Sequence, residues 1–336
     1  MVITLEGFFY KLKDGNIFYA KGVTHPLNYV VAYPKYVVDP LGNRLDRNHG
    51  IRYKRLATVS EEYSYVVSKY SKYLRFDEFF GREVILVPLA DIVHVYNPIQ
   101  KLKEIIYEDN LKDPVLKDAR DMVLDIIEST NTSSEIGISG SILVNLFKED
   151  SDIDIVVYGI NKGLNVYRYL LDVVDKDPRY RKYRINDIRG LYTRRSLETP
   201  IPPEQLIRQE SRKVLEGLFK GREYFIRLVK YPWEEPSYGS YRCFKLGKSI
   251  MKLKVVDSRE SIFTPCRYKV ELIDVIEGVK ADVVEIYSLR GRFTEIVRED
   301  EIIIARGTVE YIETQNSKDY YRLYLGDQGD YILITG

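Results

Sequence analysis

Two aspartates interrupt an apolar run in the segment GISGSILVNLFKEDSDIDIVVYG, residues 137–159. Asp152 and Asp154 alternate with Ile153 and Ile155, which is the two-residue period of a β-strand. The isoleucines are then expected to face a core, while both carboxylates share the opposite face. Two neighbouring carboxylates repel each other unless a positive charge lies between them. The pattern therefore predicts a strand that presents a divalent-cation site, and hard oxygen ligands favour Mg²⁺ or Mn²⁺.

Gly140 and Ser141 lie upstream of the aspartates, between a short predicted strand at 135–138 and a predicted helix at 141–147. A helix start carries unpaired N–H groups and a partial positive charge, and both attract anions. Glycine lets a phosphate approach the backbone closely, and the serine hydroxyl offers a further hydrogen bond. We therefore expect this turn to hold the phosphates of a nucleotide while the two aspartates hold its metal.

The chain shows three regions of different texture. Residues 1–105 alternate Tyr- and Val-rich runs with turn signals, which predicts an N-terminal α+β domain without a catalytic constellation. In residues 106–235, helices alternate with strands around an irregular basic stretch, which predicts an α/β domain. In residues 236–336, β-like runs separated by turn residues predict an all-β, barrel-like domain that resembles small oligonucleotide- or oligosaccharide-binding barrels.

The composition is that of an ordinary globular protein, with 45% hydrophobic and 30% charged residues. No segment approaches the roughly 20 apolar residues that span a bilayer, so we expect no membrane partner and a cytoplasmic location. Cys243 and Cys266 form no CxxC pair, which excludes a zinc signature. Many Ile, Val, Glu, Lys and Arg residues with little Gln or Met favour a thermophilic source.

A basic block, residues 179–230, is hidden by the overall formal charge of +1. It contains 14 Lys and Arg against 6 Asp and Glu, a net charge of +8. Such a block is a candidate nucleic-acid contact, because cations neutralise phosphates and its tyrosines offer faces for unpaired bases. It is equally a candidate to hold a triphosphate tail, with Arg227 among the nucleotide-binding residues, or a set of solvated helix faces. Residues 281–336 carry 6 cations against 11 carboxylates, a net of −5, which argues against a large phosphate-binding face there.

Gly140 and Ser141, followed by Asp152 and Asp154 within a strand, resemble the signature of the polymerase-beta-like nucleotidyltransferase superfamily. The resemblance directly covers about 25 residues, and the surrounding α/β region by extension. It implies an α+β multidomain protein in which a central nucleotidyltransferase domain, residues 106–235, lies between the N-terminal and C-terminal domains. Segments such as GVTHPLNYVVAYPKYV and YSLRGRFTEIV are also similar to archaeal proteins described only as having a nucleotidyltransferase domain.

Members of this superfamily commonly carry a third catalytic carboxylate on a later strand. The strand in position to supply it here is REYFIRLVKY, and its middle holds Arg227. Glu223, at the start of that strand, is the nearest candidate, and Asp187 in the irregular basic stretch is another. An arginine at the third acidic position is expected to weaken or remove a second metal.

The resemblance implies a Mg²⁺- or Mn²⁺-dependent enzyme that transfers a nucleoside monophosphate from a nucleoside triphosphate to a hydroxyl acceptor, with RNA or DNA as the candidate acceptors. Asp152 and Asp154 are its metal ligands and, with Glu223, its catalytic residues. The alternative is a nucleotidyltransferase-fold protein that has lost the chemistry and binds nucleic acid or senses a nucleotide. Fold alone does not decide between them.

Overall fold

The computed structural model describes residues 4–46, 49–196 and 198–335. Contacts divide the chain into two compact units, which are described separately. The first comprises Met1–Asp77, Glu83–Asp172 and Phe219–Tyr238, and the second comprises Glu78–Arg82, Val173–Leu218 and Gly239–Gly336. Helices and mainly antiparallel strands occur in the same chain, so the predicted mixture of α and β structure is confirmed. The boundaries predicted near residues 105 and 235 stay a prediction.

The first unit begins with a strongly bent antiparallel sheet. Its strands are β1 (Phe9–Leu12), β2 (Ile17–Ala20), β3 (Tyr29–Val38), β4 (Arg44–Asp46), β5 (Ile51–Arg55), β6 (Leu74–Asp77), β7 (Arg82–Pro88) and β8 (Ile92–Tyr96), with helix α1 (Val59–Lys69) between β5 and β6. The order is β4-β5-β3-β2-β1-β8, and β7 joins β6 to the opposite end of β3. One long strand, β3, therefore serves both halves of the sheet.

The rest of the first unit is a smaller layered structure. Helices α2 (Pro98–Ile106) and α3 (Pro114–Thr130) precede β9 (Ile136–Ile138), the short helix α4 (Gly140–Leu143), β10 (Ile153–Tyr158), α5 (Ile160–Val173) and, later in the chain, β13 (Arg222–Val229). Strand β10 lies between β9, which is antiparallel to it, and β13, which is parallel. This sheet shares a core with the first one, where Tyr10 and Phe18 pack with Val156 and Tyr158.

Helix α3 shows why the sequence pattern predicted it. The Asp113 side chain caps its start by accepting a hydrogen bond from the N–H of Val115 at 2.9 Å, and Pro114 suits the first turn. The apolar residues at helical spacing are all buried, namely Val115, Ala119, Met122, Val123 and Ile126. The helix predicted at 141–147 is shorter than expected, because it ends at Leu143 and Asn145 adopts a left-handed conformation with φ of 56°.

The second unit contains β11 (Tyr180–Arg181), α6 (Ile185–Arg195), α7 (Pro203–Glu210), β12 (Glu216–Phe219) and β14 to β20. The stretch predicted to be irregular therefore holds helix α6, which sequence periodicity missed because it is mostly polar. Only a few apolar side chains, including Ile188 and Leu191, bury its inner side. The helix expected after PIPPE is confirmed as α7.

The C-terminal strands form a ring-like sheet. Its six strands are β14 (Tyr241–Asp257), β16 (Cys266–Gly278), β17 (Val283–Ser288), β18 (Ile302–Thr314), β19 (Tyr320–Tyr324) and β20 (Tyr331–Ile334); the two-residue strand β15 (Phe263–Thr264) is not one of them. The order β14-β16-β17-β19-β18 closes because β14 also pairs with β18, and β20 extends from β18. Pair β17–β19 is parallel, and the others in the ring are antiparallel. The predicted all-β, barrel-like region is thus confirmed at this level, with a core that includes Met251, Tyr268 and Ile286.

Candidate active site

A cleft of about 270 Å³ opens in the first unit, between the bent sheet and the edge formed by β9, α4, β10 and β13. The residues that line it are Glu6, Gly7, Phe9, Tyr19, Lys21, Lys35, Tyr36, Arg44, Arg55, Ser139, Gly140, Ser141, Asp152, Asp154, Ile155, Val156, Phe225 and Arg227. The predicted residues Gly140, Ser141, Asp152, Asp154 and Arg227 are therefore brought together around one space. Glu223 is not among the lining residues.

The two aspartates are positioned by strand β10. Asp152 immediately precedes the strand and is exposed, whereas Asp154 is its second residue and is half-buried. Ile153 and Ile155 are almost fully buried on the opposite face, as the alternation predicted. In the described part of the chain, neither carboxylate forms a hydrogen bond or an ion pair. Two acidic groups thus face the same cleft without a protein cation bound to either of them.

Asp154 has an unusual protonation equilibrium. Burial and then the negative charge of Asp152 raise the pKa of the Asp154 carboxyl from 3.8 to about 7, although Arg227, Arg55 and Lys35 oppose the rise. A carboxylate that is this difficult to ionise lacks a local positive partner. A cation bound there would be such a partner, and its binding would then be linked to release of the Asp154 proton.

Gly140 lies directly against the Asp154 carboxylate. Its φ is 60°, and a Cβ at this position would overlap the Asp154 carboxylate oxygen and lie 2.9 Å from the Asp154 Cβ. The N–H of Ser139 donates to the carbonyl oxygen of Asp154 at 2.8 Å, and the Ser139 hydroxyl donates to the carbonyl oxygen of Gly7 at 2.8 Å. These contacts hold the turn next to the aspartates, and only glycine fits at position 140.

The Ser141 hydroxyl is an unsatisfied polar group. Its side chain is buried, and among the described residues its Oγ has no hydrogen-bond partner. Leaving a buried hydroxyl without a hydrogen bond costs about 1–3 kcal/mol, so such groups are usually hydrogen-bonded to protein, water or a ligand. Because Ser141 lines the cleft, a ligand oxygen can be that partner.

Arg227 lies on the same sheet face as the aspartates but is held by another acid. In the parallel register, Phe225 pairs with Asp154 and Arg227 with Val156, so Phe225 and Arg227 share the face of the carboxylates. The Arg227 guanidinium donates to Glu6 Oε1 at 2.8 Å, and Glu6 is almost fully buried. The residue directly beside Asp154 is therefore Phe225, with Arg227 one step further along the strand.

The cleft lining contains no third metal-binding acid of the predicted kind. Within the described residues, no group of three or more His, Cys, Asp or Glu side chains is arranged to hold a metal. Asp187, the second candidate, lies in α6 and pairs with Arg181 at 2.6 Å. The role of Glu223 stays a prediction. The further acid that lines the cleft is Glu6, which sequence reasoning missed because no motif marks it.

Four cations from the bent sheet also line the cleft, namely Lys21, Lys35, Arg44 and Arg55. They come from the region in which the sequence showed no catalytic constellation. Lys35 is the one with a local signal, since it interrupts the apolar strand YVVAYPKYVV and pairs with Glu62 at 2.9 Å. With Arg227, these side chains give five positive groups, against the carboxylates of Glu6, Asp152 and Asp154 in the lining and of Glu62 beside Lys35. Arg44 and Arg55 form no ion pair among the described residues, so their charges can meet a negatively charged ligand.

The basic block proves to be largely neutralised. Ten of its 14 Lys and Arg residues form ion pairs in the described structure, to partners such as Glu210, Glu216 and Glu301. Two tyrosines in the block, Tyr180 and Tyr183, are buried. The contacts observed for most of the block are thus internal ones.

Comparison with known proteins gives one full-length similarity. The chain is 24% identical over 326 residues to an uncharacterised protein of the archaeon Methanocaldococcus jannaschii, covering 95% of this chain and 94% of that protein. No protein-family model matches the chain, and no solved structure does. Among the described residues, no helix is both long and apolar enough to cross a membrane.

Proposed function

We propose that this protein is a Mg²⁺- or Mn²⁺-dependent nucleotidyltransferase that transfers a nucleoside monophosphate from a nucleoside triphosphate to a hydroxyl acceptor. The observation that carries the proposal is the pair of unpartnered carboxylates, Asp152 and Asp154, packed against the Gly140–Ser141 turn in a cationic cleft. This arrangement supplies separate places for a metal and for phosphates within one space.

The acidic pair fits a hard divalent cation. Mg²⁺ is commonly bound by one or two carboxylates together with substrate phosphates and water, so the two aspartates suffice as protein ligands. The raised pKa of Asp154, caused by burial and by Asp152, is the property expected of a carboxylate that lacks its cation. Asp152 and Asp154 would hold the ion, and the ion when bound supplies positive charge that stabilises an in-line displacement at phosphorus.

The other residues of the cleft bind and orient the triphosphate. The unsatisfied hydroxyl of Ser141 would donate a hydrogen bond to a phosphate oxygen, and Gly140 lets the Asp154 carboxylate lie directly against this turn. Lys21, Lys35 and Arg55 oppose the negative charge of the phosphates. In the reaction the acceptor oxygen bonds to the α-phosphorus, the bond from that phosphorus to the oxygen bridging to the β-phosphate breaks, and pyrophosphate and the hydroxyl proton are released.

The second candidate function is a protein with this fold that binds nucleotide or nucleic acid without chemistry. The pairing of Phe225, rather than an acid, with Asp154 favours it. On this reading Arg227 serves as a fixed cation for phosphate. A nucleotide-binding protein without chemistry also predicts triphosphate binding, and formation of pyrophosphate in the presence of an acceptor separates it from the enzyme. A protein that binds only nucleic acid predicts no triphosphate binding.

The deciding experiment is thermal unfolding with each of the four ribonucleoside triphosphates, with Mg²⁺ or with chelator. A ligand that binds the native state raises Tm by mass action. We expect a Mg²⁺-dependent rise that disappears in Asp152→Ala/Asp154→Ala. The matched control is Glu149→Ala/Asp150→Ala, which removes the same charge from exposed neighbours outside the cleft lining and should keep the rise. No rise with any triphosphate, or an equal rise in the aspartate variant, would refute the proposal.

A further inference from the structure

The hairpin formed by β4 and β5, residues 44–55, is a second basic surface. Its two strands carry Arg44, Arg52, Lys54 and Arg55, and Arg47 between the strands lies outside the described residues. Among the described residues, none of these four side chains forms an ion pair: Arg44 donates to the carbonyl oxygen of Leu146 at 3.1 Å, and Arg52 donates to that of Gly42 at 3.3 Å. Their positive charges are therefore available to a ligand.

The strand pairing distributes these cations over two faces. Arg44 pairs with Tyr53, and Leu45 pairs with Arg52. Side chains alternate along a strand, so Arg44, Tyr53 and Arg55 share the inner face, where Tyr53 is buried. Arg52 and Lys54 project from the outer face and are exposed. The hairpin thus presents positive charge both toward the cleft and away from it.

A depression of about 440 Å³ adjoins the hairpin and is open to solvent. Its lining residues are Asp39, Leu41, Gly42, Asn43, Arg44, Lys54 and Arg55. Arg44 and Arg55 line this depression and also the cleft that holds the aspartates. The two spaces are therefore joined by a pair of arginines, and a chain-like ligand can extend from one to the other.

We infer that the β4–β5 hairpin binds the phosphodiester backbone of a single-stranded nucleic acid and leads one end of it into the cleft. The inference rests on the proposed function, because the strand is the acceptor of the transferred nucleotide. Arg44 and Arg55 contact phosphates beside the cleft, while Arg52 and Lys54 continue the contact outward.

Features of the surface favour a single strand. Leu41, with 95% of its side chain exposed, lies among the cations and offers an apolar surface to an unpaired base. The two acids nearby are fewer than the four cations: Asp46 contacts His49 at 2.9 Å, and Asp39 accepts the N–H of Leu41 at 2.8 Å. An open, extended surface also suits a chain better than a small phosphorylated metabolite, which needs enclosure.

The test is fluorescence anisotropy with fluorescein-labelled 20-nucleotide single strands of RNA and of DNA, without triphosphate or metal, across a range of salt concentrations. The variant is Arg52→Ser/Lys54→Ser, which lies outside the cleft lining. Loss of two phosphate contacts should weaken binding about 10–30-fold near 0.1 M salt and reduce the salt slope by about 1.4. The matched control, Arg184→Ser/Arg189→Ser, removes two exposed cations of the basic block and should bind like wild type.

The outcomes separate the sources of the ligand. Weakened binding to both strands supports a backbone contact, and binding of RNA alone supports the inference for RNA. Unchanged binding in the hairpin variant, an equal loss in the control, or equal competition by oligoglutamate overturns it. Because Asp152→Ala/Asp154→Ala should retain strand binding, its loss of triphosphate binding with strand binding intact confirms both proposals. Strand binding without any triphosphate binding by wild type contradicts the proposed function alone.

Discussion

The basic block at 179–230 and the β4–β5 hairpin show that equal charges along a sequence can have different uses. The block is the richer in cations, with a net charge of +8, yet ten of its 14 cations are paired with acids. The two strands of the hairpin have four cations, and none of them is in an ion pair within the described residues. Charge that is already paired contributes to the fold, and unpaired charge remains for a ligand.

Lys213 is the clearest member of the paired class. Its ammonium group is fully buried, 3.1 Å from Glu210 and 2.9 Å from Glu216. Arg195 also pairs with Glu216, at 2.5 Å. Burial raises the pKa of the Glu216 carboxyl, but the charges of Arg195 and Lys213 outweigh this and lower the pKa to about 2. These groups remain charged because they neutralise one another away from water.

The largest expected effect is that of breaking this network. Lys213→Met leaves Glu210 and Glu216 buried with one cation fewer, and we expect the free energy of unfolding to fall by about 3–5 kcal/mol. Denaturant titration measures the change. Arg184→Met, an exposed residue of the same block, is the control and should change stability little. If Lys213→Met lowers the free energy of unfolding no more than the control does, the paired cations do not stabilise the fold and the comparison fails.

An intermediate effect is expected in the cleft, where the two aspartates form no ion pair within the described residues. Since the pKa of Asp154 is raised to about 7, the folded protein favours its protonated form. This contribution to stability is complete below about pH 4, where the unfolded carboxyl is protonated too, and is lost as pH rises through 7. Asp154→Asn has no carboxyl to ionise, so it does not lose this stability. The Tm of the variant minus the Tm of wild type should therefore increase between pH 4 and pH 7 and stay constant above pH 7.

Thermal unfolding of both proteins from pH 4 to pH 9 checks this profile. Asp150→Asn, an exposed aspartate in the preceding turn, is the matched control and should follow wild type. A difference between Asp154→Asn and wild type that does not vary with pH would show that Asp154 ionises normally. The cleft would then resemble the basic block, in which charged groups are already stabilised by the protein.

The smallest effect is expected in the hairpin. Arg52→Ser/Lys54→Ser removes exposed cations that have no ion pair, so Tm should stay within about 2 °C of wild type. The variant therefore tests ligand binding in a protein as stable as the original. A drop comparable with that of Lys213→Met would mean that these cations serve the fold.

The sequence alone predicted those features that depend on nearby residues. Alternation placed Ile153 and Ile155 in the core. The direct contact of Gly140 with the Asp154 carboxylate was not predicted, because the sequence pattern assigned that glycine to a phosphate. Periodicity also predicted helix α3 and the C-terminal strands. These patterns are local, because side-chain direction repeats every 2 or 3.6 residues.

Features that depend on distant residues could not be predicted in this way. Arg227 is held by Glu6, which is 221 residues away, and Arg212 pairs with Glu301, which is 89 residues away. The cations of the cleft come from a sheet whose strands show ordinary alternation. No local pattern shows which acid will pair with which base. The net charge of the basic block therefore did not predict how many of its cations remain without an ion pair.

The contact between Gly140 and Asp154 makes the geometry of the cleft depend on the size of the side chain at position 140. With only a hydrogen atom as its side chain, residue 140 lets the turn lie directly against the Asp154 carboxylate. One added methyl group would push the carboxylate away and separate the two halves of the site. Position 140 therefore cannot accept even one additional carbon atom, although glycine contributes no functional group to the cleft.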